Sequence, residues 1–570
     1  MPIDYKISKL IIRQFRGIDE LELEIREGYP SVLIGTNNAG KSTILNSIAL
    51  ALNGGGYHQW SPSETDFHCS ADGTRATEFL VQIHFDSENE FGYPAVKGVA
   101  KPSLIHGIQV KGKMWKDGRI VHSRTLFGAD GKTVTIEPRT SLAAADKENF
   151  SDHDVGYKKY NARLDDIRDD TPEVWLFKPQ NIEASLYIWK TGPIAKLSGL
   201  LAERFLADSW DVQRDGGKSS PMPATMHKAH EFFKHALEEF PLWKDDMKPH
   251  LEEVIGRYVG TQAKVEIRPD AQLFKEWISQ QLVVSLATDP DSVATPLRNM
   301  GDGWQSVVRL AALEALSKYP ELIKERVVLL LEEPETHLHP HLRRKLRKVL
   351  AALSAKGWTV VYSTHSPELV AFDSKQIITR LVRSAGKLAS SNVVTDSVGH
   401  DAKVQEKLDV HGAHDFLFST AAIFCEGRDD SFAVKLGFDI SDMDYDARSV
   451  SVTQCGSITA IPSFVAISKK LGIRWCALTD EDKLPDGRIK PASMIVRSKI
   501  ESFRTGSDLQ SQWPVDLENC FAVSSGKATP DVLIEKLSCS NWATKYPEFD
   551  AVLRQLVEWI DPNTTRTNPI

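Results

Sequence analysis

The apolar positions of this chain fall into two strand-and-helix rhythms separated by a helical stretch. Near the N-terminus, Ser31-Val-Leu-Ile34 is a short β-prone run, followed by a glycine-rich interval and an apolar-periodic segment from Ile44. That order predicts strand, loop and helix. The runs at 327–331 and 359–363 are continuously apolar, as strands in the middle of a parallel sheet are. Residues 307–316 carry helical spacing ahead of them. From about 195 to 258 the period is helical, interrupted by the Gly/Ser/Pro-rich segment 215–223, and Lys264-Val-Glu-Ile267 returns to a strand pattern. No sustained heptads occur there, which argues against a coiled-coil arm. After about 395 the rhythm restarts, with predicted strands at 421–425, 449–453, 475–479 and 520–523 and a helix over 430–436. The fold class is therefore α/β.

Composition narrows the reading only a little. With 570 residues, 41% hydrophobic and 26% charged, the chain is long enough for two to four ordinary globular domains. A net charge of −8 disfavours a protein that coats DNA indiscriminately, without excluding a nuclease whose metal ligands are acidic. The six cysteines contain no C-x-x-C pair, so neither a zinc ribbon nor a disulfide framework is expected. No apolar run reaches membrane-spanning length and the N-terminus lacks signal-peptide character, so a cytoplasmic, soluble protein without membrane association is expected.

The glycine-rich interval carries the first chemistry. Gly35-Thr-Asn-Asn38-Ala-Gly40-Lys41-Ser42-Thr43 fits G-x-x-x-x-G-K-[ST] between a strand and a helix. Backbone N–H groups of such a loop cradle phosphates at a helix N-terminus. Lys41 would reach the β/γ oxygens and Ser42 would hold Mg²⁺. The strand at 327–331 ends in Glu332-Glu333-Pro334-Glu335. Glu332 stands where a Mg²⁺-positioning acid belongs, and Glu333 where a water-orienting general base belongs. His365, after the strand at 359–363, is placed to sense a γ-phosphate. Gly301-Asp302-Gly303-Trp304-Gln305 opens the helix at 307–316 as a second anion-binding turn. His337, His339 and His341 are read as loop and helix cap rather than as zinc ligands. The cluster Arg343-Arg-Lys-Leu-Arg-Lys348 fits either DNA phosphates or a solvated helix face.

The second chemistry lies in the last third. Glu426-Gly427 follows the strand at 421–425, Asp430 opens the next helix, and Asp480-Glu481-Asp482 follows the strand at 475–479. Ligands of open α/β sheets bind at such carboxyl ends. Converging carboxylates repel unless a divalent cation neutralises them, and an oxygen-only set suits Mg²⁺ or Mn²⁺.

The N-terminal and central motifs resemble the ABC-type ATPase heads of the SMC, RecF and OLD (overcoming lysogenization defect) class. Leu10-Ile-Ile-Arg-Gln-Phe15-Arg16-Gly17 is similar to their opening strand, and Leu331 to Pro340 to their Walker B and D-loop. The resemblance implies ATP sandwiched between two protomers, with Gly301, Gly303 and Gln305 as the signature turn. That turn has Gly301 and Asp302 where a serine is usual, and Asp66 is a candidate Q-loop substitute. The C-terminal constellation resembles a TOPRIM domain, with Glu426-Gly427, Gly456-Ser457 and Asp480-x-Asp482 at the expected turns. A topoisomerase tyrosine domain and a primase zinc module are both missing from the pattern. Similarity to OLD nucleases further implies Asp516 and Glu518 as acids, a helical dimerisation insertion, and a catalytic lysine. Lys545 is the first choice by spacing, ahead of Lys536 and Lys527. The implied domains are residues 1–185 and 263–395 (ATPase), 186–262 (insertion) and 396–570 (TOPRIM). The implied function is an ATP- and Mg²⁺- or Mn²⁺-dependent DNA endonuclease. Relatives such as the Gabija anti-phage nuclease subunit imply phage defence, homo-oligomers and a helicase partner. Two alternatives stand beside it: a DNA-repair ATPase with a non-catalytic TOPRIM module, and a nucleotide-sensing scaffold.

Overall fold

In the computed structural model, the described residues are 6–52, 60–91, 103–136, 172–178, 301–318, 327–370, 372, 375–384, 387–395, 414–482, 488–524 and 526–562, with short pieces between 160 and 300. The chain divides into two compact units. One comprises Met1–Val174, Arg326–Glu335 and His339–Ile570, the other Trp175–Glu325 and Thr336–Leu338. Apart from short pieces, the helical insertion expected over 186–262 and the strand expected at 264–267 lie outside the described residues.

The first unit begins with an antiparallel sheet of order β2-β1-β4-β5-β6, formed by β1 (Ile7–Phe15), β2 (Ile18–Glu24), β4 (Glu78–Phe91), β5 (Ser103–Met114) and β6 (Ile120–Phe127). Its core side follows the period of two: Phe79, Val81, Ile83 and Phe85 are buried while their neighbours are less so. A second sheet contains, in spatial order, β10 (Lys387–Val394), β9 (Ile377–Ser384), β3 (Ser31–Gly35), β8 (Thr359–Ser363) and β7 (Val327–Glu332). All but β10 run parallel, and β3 is buried along its whole length, as its unbroken apolar sequence predicts. Helices α1 (Lys41–Ala51) and α3 (Pro340–Ala355) belong to this layer. In the second unit, α2 spans Asp302–Lys318.

The C-terminal layer is a four-stranded, all-parallel sheet of order β12-β11-β13-β14. Its strands are β11 (Ala421–Cys425), β12 (Val450–Gln454), β13 (Arg474–Asp480) and β14 (Leu509–Trp513). Helices α4 (Arg428–Ile440), α5 (Ile461–Lys470), α6 (Pro491–Glu501), α7 (Leu517–Cys520), α8 (Pro530–Leu537), α9 (Trp542–Lys545) and α10 (Pro547–Ile560) accompany it. One expectation fails here: residues 520–523 form no strand. They end α7 and enter a turn, and the edge strand is the more polar Leu509–Trp513. The apolar run at 520–523 feeds the helical layer instead, where Phe521 meets Tyr546 and Phe549 at ring distances of 5.0 and 4.8 Å. Helix α10 explains why that layer seals. Phe549, Val552, Leu553, Leu556, Val557 and Ile560 recur at three- and four-residue steps and are all buried. Each such side chain contributes roughly 1.5–3 kcal/mol when removed from water. Gly437 of α4 admits this close approach, since a Cβ there would lie 3.0 Å from both Leu553 and Phe549.

Candidate functional site

Two sites rise from these sheets, one at the end of β3 and one at the ends of β11 and β13. At the first, Gly35 has φ 143° and its Cα abuts the Leu381 carbonyl of β9, so a side chain would collide with backbone. Asn38 and Gly40 take left-handed conformations (φ 62° and 94°), turning the loop into α1. No side chain caps α1 and no acid occupies its first turn, which leaves its amide end available to an anion. Lys41 is buried, and its ammonium donates to the carbonyls of Gly35 (2.8 Å) and Thr36 (3.0 Å). Burial lowers its pKa, while Glu333, Glu335 and Glu332 hold the charge in place. The exposed Ser42 hydroxyl donates to Glu332, joining the two expected Mg²⁺-positioning residues directly. Thr43, the last residue of the motif, sits in the first turn of α1.

Glu333 is reached through a strained turn (φ 43°), with its N–H on the Ser363 carbonyl at 3.1 Å. Its carboxylate lies 3.7 Å from His365 Nε2. Burial, then the Lys41 charge, hold His365 below its ordinary pKa, so the ring is neutral at neutral pH and can accept a proton. Glu335, which the motif reading left without a role, is the buried pin of this corner. It accepts the Thr364 hydroxyl and the His365 N–H, each at 2.8 Å, and burial raises its pKa. Asp66, weighed as a Q-loop substitute, is engaged by Arg16 at 2.8 Å and by the backbone of Ser63 at 2.9 Å.

In the second unit, Gly301, Asp302, Gly303 and Trp304 are exposed, and the buried Gln305 turns its amide onto the Met300 carbonyl at 2.7 Å. The rings of His339 and His341 stack at 5.9 Å, with His339 as the N-cap of α3. The basic cluster on α3 is not uniformly solvated: Arg347 is buried.

At the second site, parallel pairing of β11 with β13 sets Glu426 and Asp480 at adjacent strand ends, and the Asp480 N–H donates to Glu426 Oε1 at 3.0 Å. Gly427 starts α4, and Asp430, three residues on, folds back so that Oδ2 accepts the Gly427 N–H at 2.8 Å. Its other oxygen accepts the indole N–H of the fully buried Trp513, at 2.9 Å. Asp482 (φ 52°) accepts Lys490 Nζ and Ser493 Oγ, both at 2.7 Å. Arg497, also on α6, donates to the Asp480 carbonyl. Glu481 and Val515 exchange backbone bonds, 3.0 Å one way and 3.3 Å to the Glu481 carboxylate the other, which fastens the loop carrying Asp516 beside the Asp480 turn. Asp516 caps α7 through Asn519 (2.8 Å), and Glu518 accepts the Gly526 N–H (2.7 Å).

The carboxylates also act on one another electrostatically. Burial, then Asp430, Glu426, Asp516 and Asp482 in turn, push Asp480 up to about 8. Burial, then Asp430 and Asp482, raise Glu426 to about 7. Asp430 is raised by burial and by Glu518. Asp482 alone runs low: partial burial opposes ionisation, and the bonds from Lys490 and Ser493 overcome it. All six expected acids thus belong to one field. Among the described residues, however, no group of three or more His, Cys, Asp or Glu side chains is arranged so as to hold a metal ion. The donor type suits a hard cation: every one is a carboxylate oxygen, and Arg497 and Lys490 offset their mutual repulsion only in part, leaving Glu426 and Asp480 raised.

Lys545 is exposed at the end of α9, 5.5 Å from the Tyr546 ring, and Lys536 lies 5.6 Å from the same ring. Lys527 follows Gly526 in the loop that Glu518 holds. Among the described residues, Lys490 is a lysine in contact with a site carboxylate, and spacing did not single it out; Trp513, Ser493 and Arg497 were missed as well. All four depend on contacts between elements, and only the basic pattern of α6 after Asp482 offered a local signal.

Both regions match known domain families. Residues 417–482 match the family model "Overcoming lysogenization defect protein-like, TOPRIM domain", and residues 6–168 the model "AAA ATPase domain". Residues 203–371 match a further AAA domain model whose description includes the AbiEii toxin and type IV toxin–antitoxin systems. The chain is 30% identical over 201 residues to the OLD nuclease of Thermus scotoductus, covering 33% of this chain and 37% of that protein. It is 20% identical over 166 residues to the Old nuclease of Escherichia phage P2, covering 28% of each. The chain therefore spans little more than a third of the curated relatives it matches. Among solved structures, an SMC head bound to the C-winged helix domain of ScpA aligns with TM-score 0.38 and 13% identity, over 69% of this chain and 98% of that one. The SMC head domain from Thermotoga maritima aligns with TM-score 0.31 and 12% identity, over 68% and 99%. The chain thus joins an AAA-type ATPase domain to a C-terminal TOPRIM domain of OLD-like type in a mixed α/β fold.

Proposed function

We propose that this chain is an ATP-dependent DNA endonuclease whose phosphodiester-cutting centre is the carboxylate cluster around Glu426 and Asp480. The observation that carries the reading is the pairing of β11 with β13, which locks those two carboxylates side by side with Asp430, Asp482 and Asp516 around them. Glu426, Asp430, Asp480 and Asp482 would hold a divalent cation, Mg²⁺ or Mn²⁺, with Asp516 and Glu518 at the rim. Such a cation supplies Lewis acidity toward a phosphodiester and favours a nucleophilic water at neutral pH. The protein's own part is positional. Gly427 and Trp513 aim Asp430, Lys490 at the N-cap of α6 and Arg497 within it reach the Asp482 and Asp480 turns, and Lys545 is our choice for the cation that assists the leaving oxygen, with Lys527 and Lys536 as rivals.

The ATP site works by the same logic. Lys41 and the α1 amides bind phosphate, Ser42 and Glu332 position Mg²⁺, Glu333 orients water, and His365 senses the γ-phosphate. Gly301, Gly303 and Gln305 belong to a turn that a second copy would use, and the exposure of Gly301 through Trp304 supports a homodimer or higher oligomer. Kinship in the TOPRIM domain with OLD nucleases supports phage defence as the setting, inside the cell, with a helicase as partner; among the described residues no helix is long and apolar enough to cross a membrane.

The test is nicking of supercoiled plasmid with Mg²⁺ or Mn²⁺, with and without ATP. Wild type should cut and Glu426→Gln should not, with ATP hydrolysis intact in both. One observation favours the rival, a repair ATPase with a non-catalytic TOPRIM module: Asp482 is already engaged by Lys490 and Ser493. Absence of cutting by wild type under every nucleotide and metal condition would decide for that rival.

A further inference from the structure

Arg380 of β9 is buried at 4% exposure, yet its guanidinium meets no carboxylate among the described residues. It spends its fork on three carbonyls of the C-terminal layer: Nη1 on Leu471 and Gly472, each at 3.3 Å, and Nη2 on Ser419 at 2.7 Å. Burying a guanidinium without an ion-pair partner costs several kcal/mol, which an apolar side chain of equal length would avoid. What the fork adds over an apolar chain is geometry, because its planar donors fix several acceptors relative to one another.

The positions of those acceptors give the geometry a use. Ser419 lies two residues before β11, and Gly472 two residues before β13. Those neighbouring strands carry Glu426 and Asp480 at their far ends. At about 3.3 Å per residue, the carboxylates lie roughly 25 Å from the Arg380 contacts, along paired strands. On its own side, Arg380 stands in register with Ile34 of β3, and the next residue, Leu381, with Gly35, the first glycine of the phosphate loop. The Leu381 carbonyl lies so close to Gly35 that no Cβ would fit between them, so β9 backs directly onto the first residue of the loop.

We propose that Arg380 is a positioning residue that transmits the nucleotide state of the Gly35–Lys41 loop, through β9, to the starts of the two strands that end in Glu426 and Asp480. This rests on the endonuclease reading above and names the route by which ATP governs that site. Arg380 touches neither nucleotide nor DNA; it sets the spacing of β11 and β13 relative to β3.

The test uses the full chain with Arg380→Lys, which keeps the charge but lacks the fork, and Arg380→Met, which keeps the length. Plasmid nicking with Mg²⁺ is measured with ATP, with a non-hydrolysable analogue and with none, alongside ATP hydrolysis and backbone hydrogen exchange over residues 419–426 and 471–480. In wild type, nucleotide should change nicking by about fivefold or more in one direction, the lower range of site-to-site coupling. In Arg380→Lys that ratio should fall to about one, with ATP hydrolysis within about twofold of wild type, and the nucleotide-dependent change in exchange should disappear. A wild-type ratio in Arg380→Lys, or equal losses with and without nucleotide, overturns the proposal by leaving Arg380 only a structural role. No nucleotide effect on wild-type nicking or exchange overturns it too. Should wild type never nick, the endonuclease reading falls, and hydrogen exchange alone decides the coupling. Should Arg380→Met fail to fold, Arg380→Lys carries the result.

Discussion

Lys41, buried beyond the end of β3, and Asp480, half-buried at the last position of β13, are both ionisable groups at the carboxyl edge of a parallel sheet, and the protein holds them in opposite ways. Lys41 lies among three glutamates and two carbonyls, so its charge is compensated before any ligand arrives. Asp480 lies among four other carboxylates, and the bonds that organise its cluster come mostly from neutral donors: its own N–H, the Gly427 N–H and the Trp513 indole. Lys490 compensates Asp482 only at the rim. The Lys41 corner is therefore internally compensated, whereas the carboxylate cluster stores repulsion that a cation, on the proposed reading, would relieve. Burial raises the stakes at both, since unpaired charge is costly away from water.

The sharpest way to break this contrast is at its two centres. Asp480→Asn should abolish metal-dependent plasmid nicking while leaving ATP hydrolysis unchanged, and it should raise thermal stability in EDTA at pH 8 because repulsion is removed. Lys41→Ala should strike the other centre, abolishing ATP hydrolysis and with it the nucleotide response of nicking. ATP binding, read by a fluorescent analogue, should be lost, and the response of the melting temperature to Mg²⁺ at the carboxylates should survive. A Lys41→Ala chain that still hydrolyses ATP would end the assignment of the loop.

A smaller effect is expected one contact away. Trp513→Phe keeps the ring stacked on Phe549 (centroids 5.6 Å apart) but removes the donor to Asp430. The Mg²⁺ concentration for half-maximal nicking should rise about 10- to 100-fold, the usual cost of losing a partner that orients a ligand. An unchanged metal dependence would show that Asp430 needs no such partner.

The pH response sharpens the contrast further. The pKa values of Glu426 and Asp480, about 7 and about 8, lie above those of an unfolded carboxyl, so the folded state holds these protons more tightly. Their contribution to stability is full below about pH 4 and is lost as pH rises through 7 and 8. Metal-free protein should therefore melt at progressively lower temperature across that window, and the stabilisation by Mg²⁺ should grow with pH. Asp480→Asn should flatten both trends; a stabilisation by Mg²⁺ that shrinks between pH 5 and 8 would contradict the stored repulsion.

The smallest effect belongs to the ATPase corner. Thr364→Val removes one donor from Glu335 but leaves the His365 N–H, and should cost about 1 kcal/mol in denaturant melts.

The parts of this molecule that were legible in sequence are those whose chemistry is local. The phosphate loop, Glu332-Glu333 and Glu426-Gly427 each stand where an apolar run stops, so period and punctuation locate them. The field around Asp480 was legible as spacing, because strand ends in a parallel sheet meet at one edge. The partners were not. Trp513 reaches Asp430 across 83 residues and Arg380 reaches Gly472 across 92, and no window of sequence contains both ends. The edge strand was misplaced for a related reason. Leu509–Trp513 is polar on its open side and gives a weak strand signal, while the apolar run at 520–523 is spent on aromatic packing. Nor does sequence mark the left-handed turns at Glu333 and Asp482, two ordinary residues held in strained conformations by their surroundings.

The bond between Trp513 and Asp430 has one more consequence. An indole whose N–H rests on a carboxylate changes its emission when that carboxylate is claimed by something else. The cluster thus contains its own optical reporter, and the difference between the fluorescence of wild type and Trp513→Phe isolates it from the other 12 of the chain's 13 tryptophans. On the proposed reading, cation arrival at Asp430 would be timed this way without a label and without DNA present.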